Sequence, residues 1–228
     1  MTFIKKLQFL SIKQIPNLFW SSPKALTVRP PIISIIVLFA GLVLFGLGEA
    51  LLIAAGVGVS PWTTLAQGIS LRTGWSIGFA TLIIGFVVLL AWIPLRQMPG
   101  IGTIANAIIV ALMLDVLLPY LPKPDFFLLQ IFQSIIGILI VGFGAALYLS
   151  ANLGPGPRDG LMTGLTRFSN RPISLVRSVI ELLVVASGWM LGGTVGLGTV
   201  LFAVLIGPSI SAGCFVLNQY IAPKRSDI

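Results

Sequence analysis

The chain has 228 residues, of which 57% are hydrophobic and only 9% are charged, and its mean hydropathy is +1.05. Because a soluble domain carries about 25% charged residues, this composition excludes a water-soluble globule, and the high apolar content also excludes a disordered chain. The formal net charge of +8 comes largely from residues that flank apolar runs, which indicates contact with anionic lipid and argues against nucleic acid binding.

The missing residue types limit the chemistry available to the chain. It has no histidine and a single cysteine, Cys214, and its six acidic residues are scattered without the spacing of a metal site. The most common general base and zinc ligand is therefore absent, and no disulfide or CxxC pair can form within the chain. We predict that the protein is not an enzyme and that it holds neither a metal nor another cofactor.

Residues 1–29 form a basic segment that we place in the cytoplasm. Apolar residues alternate with lysines before Pro16, a pattern that fits either a short interfacial helix or a disordered tail. We expect no cleavable signal here, because the apolar run that begins at Ile32 is too long for a signal sequence and lacks a small-residue cleavage site.

Residues 30–122 form the first predicted membrane repeat. It contains three long apolar runs, which cover about residues 32–55, 77–95 and 101–118. Between the first two runs, a glycine turn leads to Ser60 and Pro61, which are favoured at the start of a helix. This helix ends near Leu71 and is about 16 Å long, too short to cross a hydrocarbon core of roughly 30 Å. We expect it to be re-entrant or interfacial.

Residues 123–222 form the second predicted repeat, and residues 223–228 form a cytoplasmic tail. A shift of 96 positions aligns the two repeats without a gap from Gly41 to Ala107, and such a long single offset is hard to obtain by chance. The second repeat has long runs at about residues 128–149, 175–191 and 197–218. Its short helix begins at Pro157, the counterpart of Pro61.

Each repeat has three predicted spans, and this odd number sets the relative orientation of the repeats. The second repeat must enter the membrane from the side opposite to the first, which makes an inverted-topology repeat. The distribution of positive charge agrees with both ends in the cytoplasm, because the loops placed inside are richer in arginine and lysine. The inside residues are Arg96, Arg158, Arg167, Arg171, Lys224 and Arg225, and the outside residues are Arg72 and Lys123.

We therefore predict an all-α membrane protein with six transmembrane helices, arranged as two inverted three-helix repeats, each with a short re-entrant or interfacial half-helix. The alternative is eight spans in parallel repeats, which requires both short helices to cross the bilayer. In the six-span arrangement, the two half-helices approach the midplane from opposite faces.

The amino ends of the half-helices are the predicted substrate-binding site. Each end offers unpaired backbone N–H groups and the positive end of a helix dipole, an arrangement that binds small ions or polar solutes. An alternative for the second half-helix is that its acid only caps the helix and its arginine only sets topology. The candidate substrate-binding residues are Ser60, Pro61, Trp62, Thr63, Pro157, Arg158 and Asp159.

Four charged residues in predicted spans are candidates for proton or ion coupling, because a charge within a span is costly and normally faces the bundle interior. Glu49 is the first candidate, since it lacks a nearby sequence partner and a desolvated carboxyl holds a proton more readily than one in water. Arg177 and Glu181 are spaced i, i+4 and can pair on one helix face, in either a structural or a gating role. Asp115, near the end of the third span, is the fourth candidate.

Five glycine- and proline-rich segments match a known family. They are residues 56–62 (GVGVSPW), 73–78 (TGWSIG), 92–96 (WIPLR), 154–160 (GPGPRDG) and 192–199 (GGTVGLGT). In these segments the chain resembles the YczE/YyaS/YitT family of bacterial inner-membrane proteins, most closely its YczE-type branch, and the resemblance extends over about residues 30–218. It implies a multi-pass protein of the bacterial plasma membrane but no particular activity. Members often carry an acid after the Pro-Trp pair, where this chain has Thr63, so a role of that acid is not carried over.

Three functions fit these observations. The first is a small transporter or permease for a small solute, anionic if the arginine binds it, with the site between the half-helices. The second is a non-transporting accessory or assembly protein of another pathway, and the third, a membrane enzyme, is disfavoured by the missing histidine and paired acids. Expected partners are the lipid bilayer, a small solute and a second copy of the chain, with no nucleic acid. A polar cavity that reaches Pro61 and Pro157 would favour the first function, and a dry, fully packed midplane would favour the second.

Overall fold

The computed structural model describes residues 15–221, in which all regular secondary structure is helical. The α-helices in this range are α1 (Ile32–Ala55), α2 (Pro61–Thr73), α3 (Ile77–Trp92), α4 (Ile101–Leu117), α5 (Phe127–Ser150), α6 (Pro157–Ser169), α7 (Ile173–Met190) and α8 (Leu197–Ile221). A short 3-10 helix, Leu118–Tyr120, follows α4. The interfacial helix considered for the amino terminus and the tail at 223–228 lie outside the described residues.

Five of these helices, α1, α4, α5, α7 and α8, are long and apolar enough to cross a membrane. The helices α2 and α3 meet at a bend of 115° and supply a sixth span only if they are taken together. With 16 residues, α3 alone is about 24 Å long. The predicted extension of this run to residue 95 is wrong, because Pro94 lacks an N–H and its ring clashes with the preceding turn. The chain is thus a membrane protein whose described residues, 15–221, are all-helical and hold five or six candidate spans.

The half-helices α2 and α6 begin and end by the same devices. Each has proline at its first position, preceded by a cap with extended backbone, Ser60 for α2 and Gly156 for α6. Each is followed by a residue in the left-handed conformation, Gly74 or Asn170, which stops the helix. Both have 13 residues, about 20 Å of helix, so each reaches only part of the way across a bilayer.

The centre of the fold is the contact between α1 and α5, which cross through four glycines. Gly41 lies against Gly144, and Gly48, two turns further along α1, lies against Gly137, so the two helices run in opposite directions. A Cβ on Gly48 would lie 2.5 Å from the carbonyl oxygen of Gly137, and one on Gly144 would lie 2.7 Å from that of Gly41. The backbones therefore touch directly, as small residues permit in membrane helices.

The turn that leads into each half-helix docks on the first turn of a long helix of the other repeat. The carbonyl oxygen of Val57 accepts a hydrogen bond from Gly198 N over 2.8 Å, and that of Leu153 accepts one from Gly102 N over 2.7 Å. These two bonds are related by the same 96-residue shift as the sequences. The next residue of each turn is a glycine with positive φ, 115° and 108° respectively, a backbone conformation that other residues rarely adopt.

Residues 18–22, here called the N-terminal strap, cover the carboxyl end of α5. Trp20 Nε1 donates to Ser150 Oγ over 3.0 Å, and Ser22 N donates to the carbonyl oxygen of Ala151 over 2.9 Å. Asn152 Nδ2 donates back to the carbonyl oxygen of Ser22 over 2.7 Å. The strap also buries Leu18 and Trp20. Part of the predicted cytoplasmic segment is thus packed on the turn that precedes α6.

Candidate functional site

A cavity of about 270 Å³ lies between the amino ends of the two half-helices. The long helices α1, α3, α4, α5, α7 and α8 complete its walls, mostly with aliphatic and aromatic side chains. Of the eleven predicted site residues, nine line this cavity: Glu49, Ser60, Pro61, Trp62, Pro157, Arg158, Asp159, Arg177 and Glu181. Most of the candidate residues, which are spread over 133 positions of the sequence, therefore meet at one place in the fold.

Glu49, near the carboxyl end of α1, is almost fully buried, with 1% of its surface exposed. Its Oε2 accepts hydrogen bonds from the hydroxyls of Ser60 and Thr63, each over 2.8 Å. These hydroxyls belong to the cap and the first turn of α2, so the carboxyl ties α1 to the start of the half-helix. The other oxygen, Oε1, is buried without a hydrogen-bond partner among the described residues. An unpartnered buried oxygen is costly in free energy. Glu49 Oε1 is therefore an acceptor available to a solute or a water in the cavity.

Arg158 brings a guanidinium group to the cavity from the first turn of α6. Its Cζ lies 5.3 Å from the centroid of the Trp62 ring, a cation–π contact that joins the two half-helices. Within residues 15–221, the guanidinium donates no hydrogen bond, and the only salt bridge in that range is formed by other residues. Its N–H donors are therefore free to bind a carboxylate or phosphate group in the bidentate geometry that arginine favours.

Asp159 is held by a residue that the sequence reasoning missed, Tyr148 of α5. The Tyr148 hydroxyl donates to Asp159 Oδ2 over 3.0 Å, and the tyrosine is 3% exposed and lines the cavity. The available signal was the spacing, because Tyr148 precedes Asp159 by 11 residues, as Glu49 precedes Ser60. In both repeats, a polar side chain near the end of a long helix bonds to the start of the half-helix that follows. Asn106 of α4 also lines the cavity and was not among the predicted site residues.

The amino ends of α2 and α6 contribute backbone donors. In α2 the first intrahelical bond is donated by Thr64 N to Ser60 O over 2.9 Å, and in α6 by Gly160 N to Gly156 O over 3.1 Å. The amides of residues 62, 63, 158 and 159 have no partner within the described part of the chain. Such groups carry the positive end of the helix dipole and favour a negative charge nearby.

Arg177 and Glu181 form an ion pair on α7, as their spacing predicts. Arg177 Nε lies 2.8 Å from Glu181 Oε1, and their side chains are 47% and 26% exposed. Both residues line the cavity. The pair therefore lies at an edge of the cavity that is open to its surroundings and not in the packed core.

Asp115 is the predicted coupling residue that the structure leaves out of the cavity. Its Oδ2 accepts from Ser76 Oγ over 2.6 Å, and its Oδ1 accepts from Gly78 N over 2.8 Å. These bonds tie α4 to the amino end of α3, where an acidic side chain satisfies a free backbone donor. The geometry gives Asp115 a capping role at the start of α3.

The chain is similar in sequence to a protein family and to several bacterial proteins. The chain matches DUF6198, a family of unknown function, over residues 32–213. It is 42% identical to an uncharacterized protein of Haemophilus influenzae, over 91% of this chain and 93% of the relative. The chain is 35% identical to the uncharacterized membrane protein YczE of Bacillus subtilis, over 83% of this chain and 91% of the relative. It is 27% identical to the uncharacterized protein YyaS of the same organism, over 81% of this chain and 94% of the relative. No solved structure matches the chain.

These matches confirm the resemblance that the glycine- and proline-rich segments indicated. The family match takes in both half-helices and every residue that lines the cavity. The higher identity to YczE than to YyaS agrees with a YczE-type protein. The chain therefore belongs to the family of unknown function DUF6198 and is a YczE-like membrane protein.

Proposed function

We propose that this protein is a permease for a small anionic solute in the bacterial plasma membrane, with its binding site between α2 and α6. The observation that carries the proposal is the cavity at which both half-helices begin, where a guanidinium without protein hydrogen bonds faces the interior of the bundle. Unfilled volume and unpaired polar groups reduce the stability of a helical bundle, so such a space supports a role in binding a solute.

The proposed architecture has six spans in two inverted three-helix repeats, with both termini in the cytoplasm. The antiparallel contact between α1 and α5 supports this arrangement, because these helices occupy equivalent places in the two repeats. The reciprocal docking of the turns before α2 and α6 also supports it. In this arrangement α3 is the shortest span, and a shorter span is accommodated by local thinning of the bilayer.

The predicted solute is anionic because three kinds of donor meet in the cavity. They are the Arg158 guanidinium, the free amides at the start of α2 and the free amides at the start of α6. Charge-assisted bonds of this kind are about twice as strong as neutral ones. Half-helix ends that face each other near the midplane are a recurrent way of binding solutes in secondary transporters.

The charge balance of the cavity couples anion binding to a proton. Two arginines and three carboxyl groups line it, so the site has one excess negative charge when all five are ionised. A bound anion would double that excess in a medium of low dielectric, which is unfavourable. Protonation of Glu49, whose Oε1 lacks a protein partner, offsets the added charge. We therefore expect the anion and a proton to move together.

The test is solute flux in proteoliposomes. Uptake of inorganic phosphate, sulfate and succinate would be measured with an inward proton gradient, against protein-free liposomes. For an anion that is transported, Arg158→Ala should lower the initial rate at subsaturating solute at least about tenfold, since a charge-assisted contact contributes about 1.5–3 kcal/mol.

The matched control is Arg167→Ala, which removes an exposed arginine from the other end of the same half-helix. It should leave the rate unchanged. If folded protein carries no anion of any size or charge in this assay, the permease proposal is wrong and a non-transporting accessory role takes its place.

A further inference from the structure

The two repeats differ in how their second and third long helices meet. In the first repeat α3 packs along α4, whereas α7 and α8, which follow each other in the second repeat, are not packed together. The helix α7 is held mainly by α2 and α6, and Gly188 is its single buried residue. The wall of the bundle therefore has a gap between α7 and α8.

The sequence accounts for this gap. In α3 the closest approach to α4 is at Gly78, whose added Cβ would overlap the carbonyl oxygen of Ala111, and the helices also meet at Gly85, where an added Cβ would lie at an ordinary 3.4 Å from the Cβ of Ala107. The shift of 96 positions places Glu181 of α7 on Gly85, and Ala203 of α8 on Ala107. A Cβ alone would fit at Gly85, so it is the longer charged side chain of Glu181, and not its Cβ, that distinguishes α7 from α3 at this position, and Ala203 is exposed. The same shift replaces Thr81, one turn earlier in α3, by Arg177, the ion-pair partner of Glu181.

The gap between α7 and α8 lies in one wall of the cavity. Arg177 and Glu181 line the cavity from α7, and Phe202, Ile206 and Ile210 line it from α8. These two groups lie on the two helices that do not meet, so the cavity opens sideways between them. In a bilayer this opening faces the hydrocarbon, because α7 exposes large apolar side chains around it, including Leu182 and Leu183.

We propose that the occupant of this cavity is an amphiphile, with an anionic carboxylate or phosphate head at Arg158 and an aliphatic tail that passes through the portal between α7 and α8 into the bilayer. This proposal rests on the permease function and names its class of substrate. The head is bound by the guanidinium and the free amides of α2 and α6, as above. The tail lies along the aliphatic and aromatic residues of α8, and the ion pair at the portal provides a polar edge past which the head enters.

Two observations favour an amphiphile over a fully polar anion. The cavity walls away from the half-helix ends are mostly apolar, with Phe45, Val141, Phe202 and Ile206 among them. Thr81 and Asn106 are the polar exceptions, so these walls provide few bonds for a hydrated ion. The lateral opening also lies between two helices that expose apolar side chains, Leu182 and Leu183 on α7 and Val200 and Val204 on α8. Apolar area removed from water contributes about 25 cal/mol per Å², so an aliphatic tail suits these walls.

The experiment is photo-crosslinking in proteoliposomes with a probe fatty acid that carries a diazirine on its chain. After illumination, digestion and mass spectrometry, adducts are expected on Phe202 or Ile206, which face the cavity, as well as on Phe86 and Val87, which are exposed on α3. The adducts on α3 report general contact with lipid. The ratio of α8 adducts to α3 adducts should fall about tenfold in Arg158→Ala and when the probe is the corresponding fatty alcohol, because each change removes the charge-assisted contact.

A second variant closes the portal instead of removing the head-group site. Arg177→Thr with Glu181→Gly restores in α7 the residues of α3, and should allow α7 to pack on α8 and abolish the α8 adducts while Arg158 remains. The proposal is wrong if the adducts on Phe202 and Ile206 are absent in the wild type, or if they persist unchanged with the fatty alcohol and in Arg158→Ala. It is also wrong if a crosslinker placed in the gap between α7 and α8 joins two copies of the chain, because a second copy would then fill the gap.

The outcomes separate this inference from the permease function. Flux of small anions that depends on Arg158, without adducts on α8, would retain the permease and overturn the amphiphile. Adducts on α8 that depend on Arg158, without flux of any anion or transfer of the probe across the bilayer, would support the amphiphile site and overturn the permease.

Discussion

Glu49 and Arg158 are two charged residues of the cavity whose hydrogen bonding within residues 15–221 is incomplete. Glu49 uses one oxygen to hold the start of α2 and leaves the other without a partner, and Arg158 stacks on Trp62 without donating a hydrogen bond. Most buried polar groups are fully satisfied, so these exceptions support the binding site proposed above. In the proposed permease the arginine supplies charge for the solute and the carboxyl supplies a place for a proton.

Glu49→Gln tests the role of the carboxyl as the proton site. The amide oxygen can still accept hydrogen bonds from Ser60 and Thr63. We therefore expect the protein to fold, with its free energy of unfolding lowered by no more than about 1–2 kcal/mol. Because the amide cannot bind the proton, transport should become independent of the proton gradient or fall at least about tenfold. The measurement is the initial flux at a series of external pH values.

The matched control for this substitution is Asp115→Asn, another carboxyl within a long helix but outside the cavity. Asparagine is a good capping residue, so the start of α3 should remain in place. The dependence of flux on pH should be that of the wild type. If Asp115→Asn changes that dependence and Glu49→Gln does not, the proton site has been assigned to the wrong carboxyl.

At the scale of elements, each half-helix is seated on the second long helix of the opposite repeat, by different means. Trp92 of α3 covers Gly160 of α6, and its Nε1 donates to the carbonyl oxygen of Pro157 over 3.0 Å. The position equivalent to Trp92 in α7 is Gly188, which lies against the backbone of Leu65 in α2. One half-helix is thus held by an indole and the other by direct contact of backbones.

Gly160→Ala should destabilise the protein by about 1–3 kcal/mol, because the added methyl would overlap the Trp92 ring. In a Trp92→Leu background, which provides the missing space, the same substitution should cost less than about 0.5 kcal/mol. The measurement is the midpoint of thermal or denaturant unfolding in detergent. Gly207→Ala is the control, since a methyl there meets no other atom within 4 Å and alanine favours a helix. Equal losses in both backgrounds would contradict this account of how α6 is seated.

At the scale of the whole molecule, the proposed inverted topology places the carboxyl ends of the two half-helices on opposite faces of the membrane. Residue 73 ends α2 and residue 170 follows α6. Single cysteines, introduced in a Cys214→Ala background at Thr73 and Lys123, should react from outside the cell with an impermeant maleimide. Cysteines at Met98 and Asn170 should react only after permeabilisation. Labelling of residues 73 and 170 from the same face would exclude inverted repeats.

The helices could be predicted closely from the sequence because apolar runs are bounded by glycine and proline. Both half-helices begin at the predicted prolines, and α1 has the predicted ends. The meeting of the amino ends of the two half-helices could also be predicted from the repeat, in which Pro61 and Pro157 are equivalent, and both prolines line the cavity. Features that depend on contacts between distant segments gave no local signal. The gap between α7 and α8 and the N-terminal strap are of this kind.

The N-terminal strap has a consequence for the order in which the protein is completed during synthesis. Trp20 and Ser150, which it joins, are 130 residues apart. At a synthesis rate of 5–20 residues per second, about 7–26 s pass between the emergence of the two. During that interval the indole that will cover the end of α5 has no partner to bind. Closure of this end is therefore a late assembly step, and nascent chains stalled before residue 150 should still expose the indole of Trp20 to insertion factors or to chaperones.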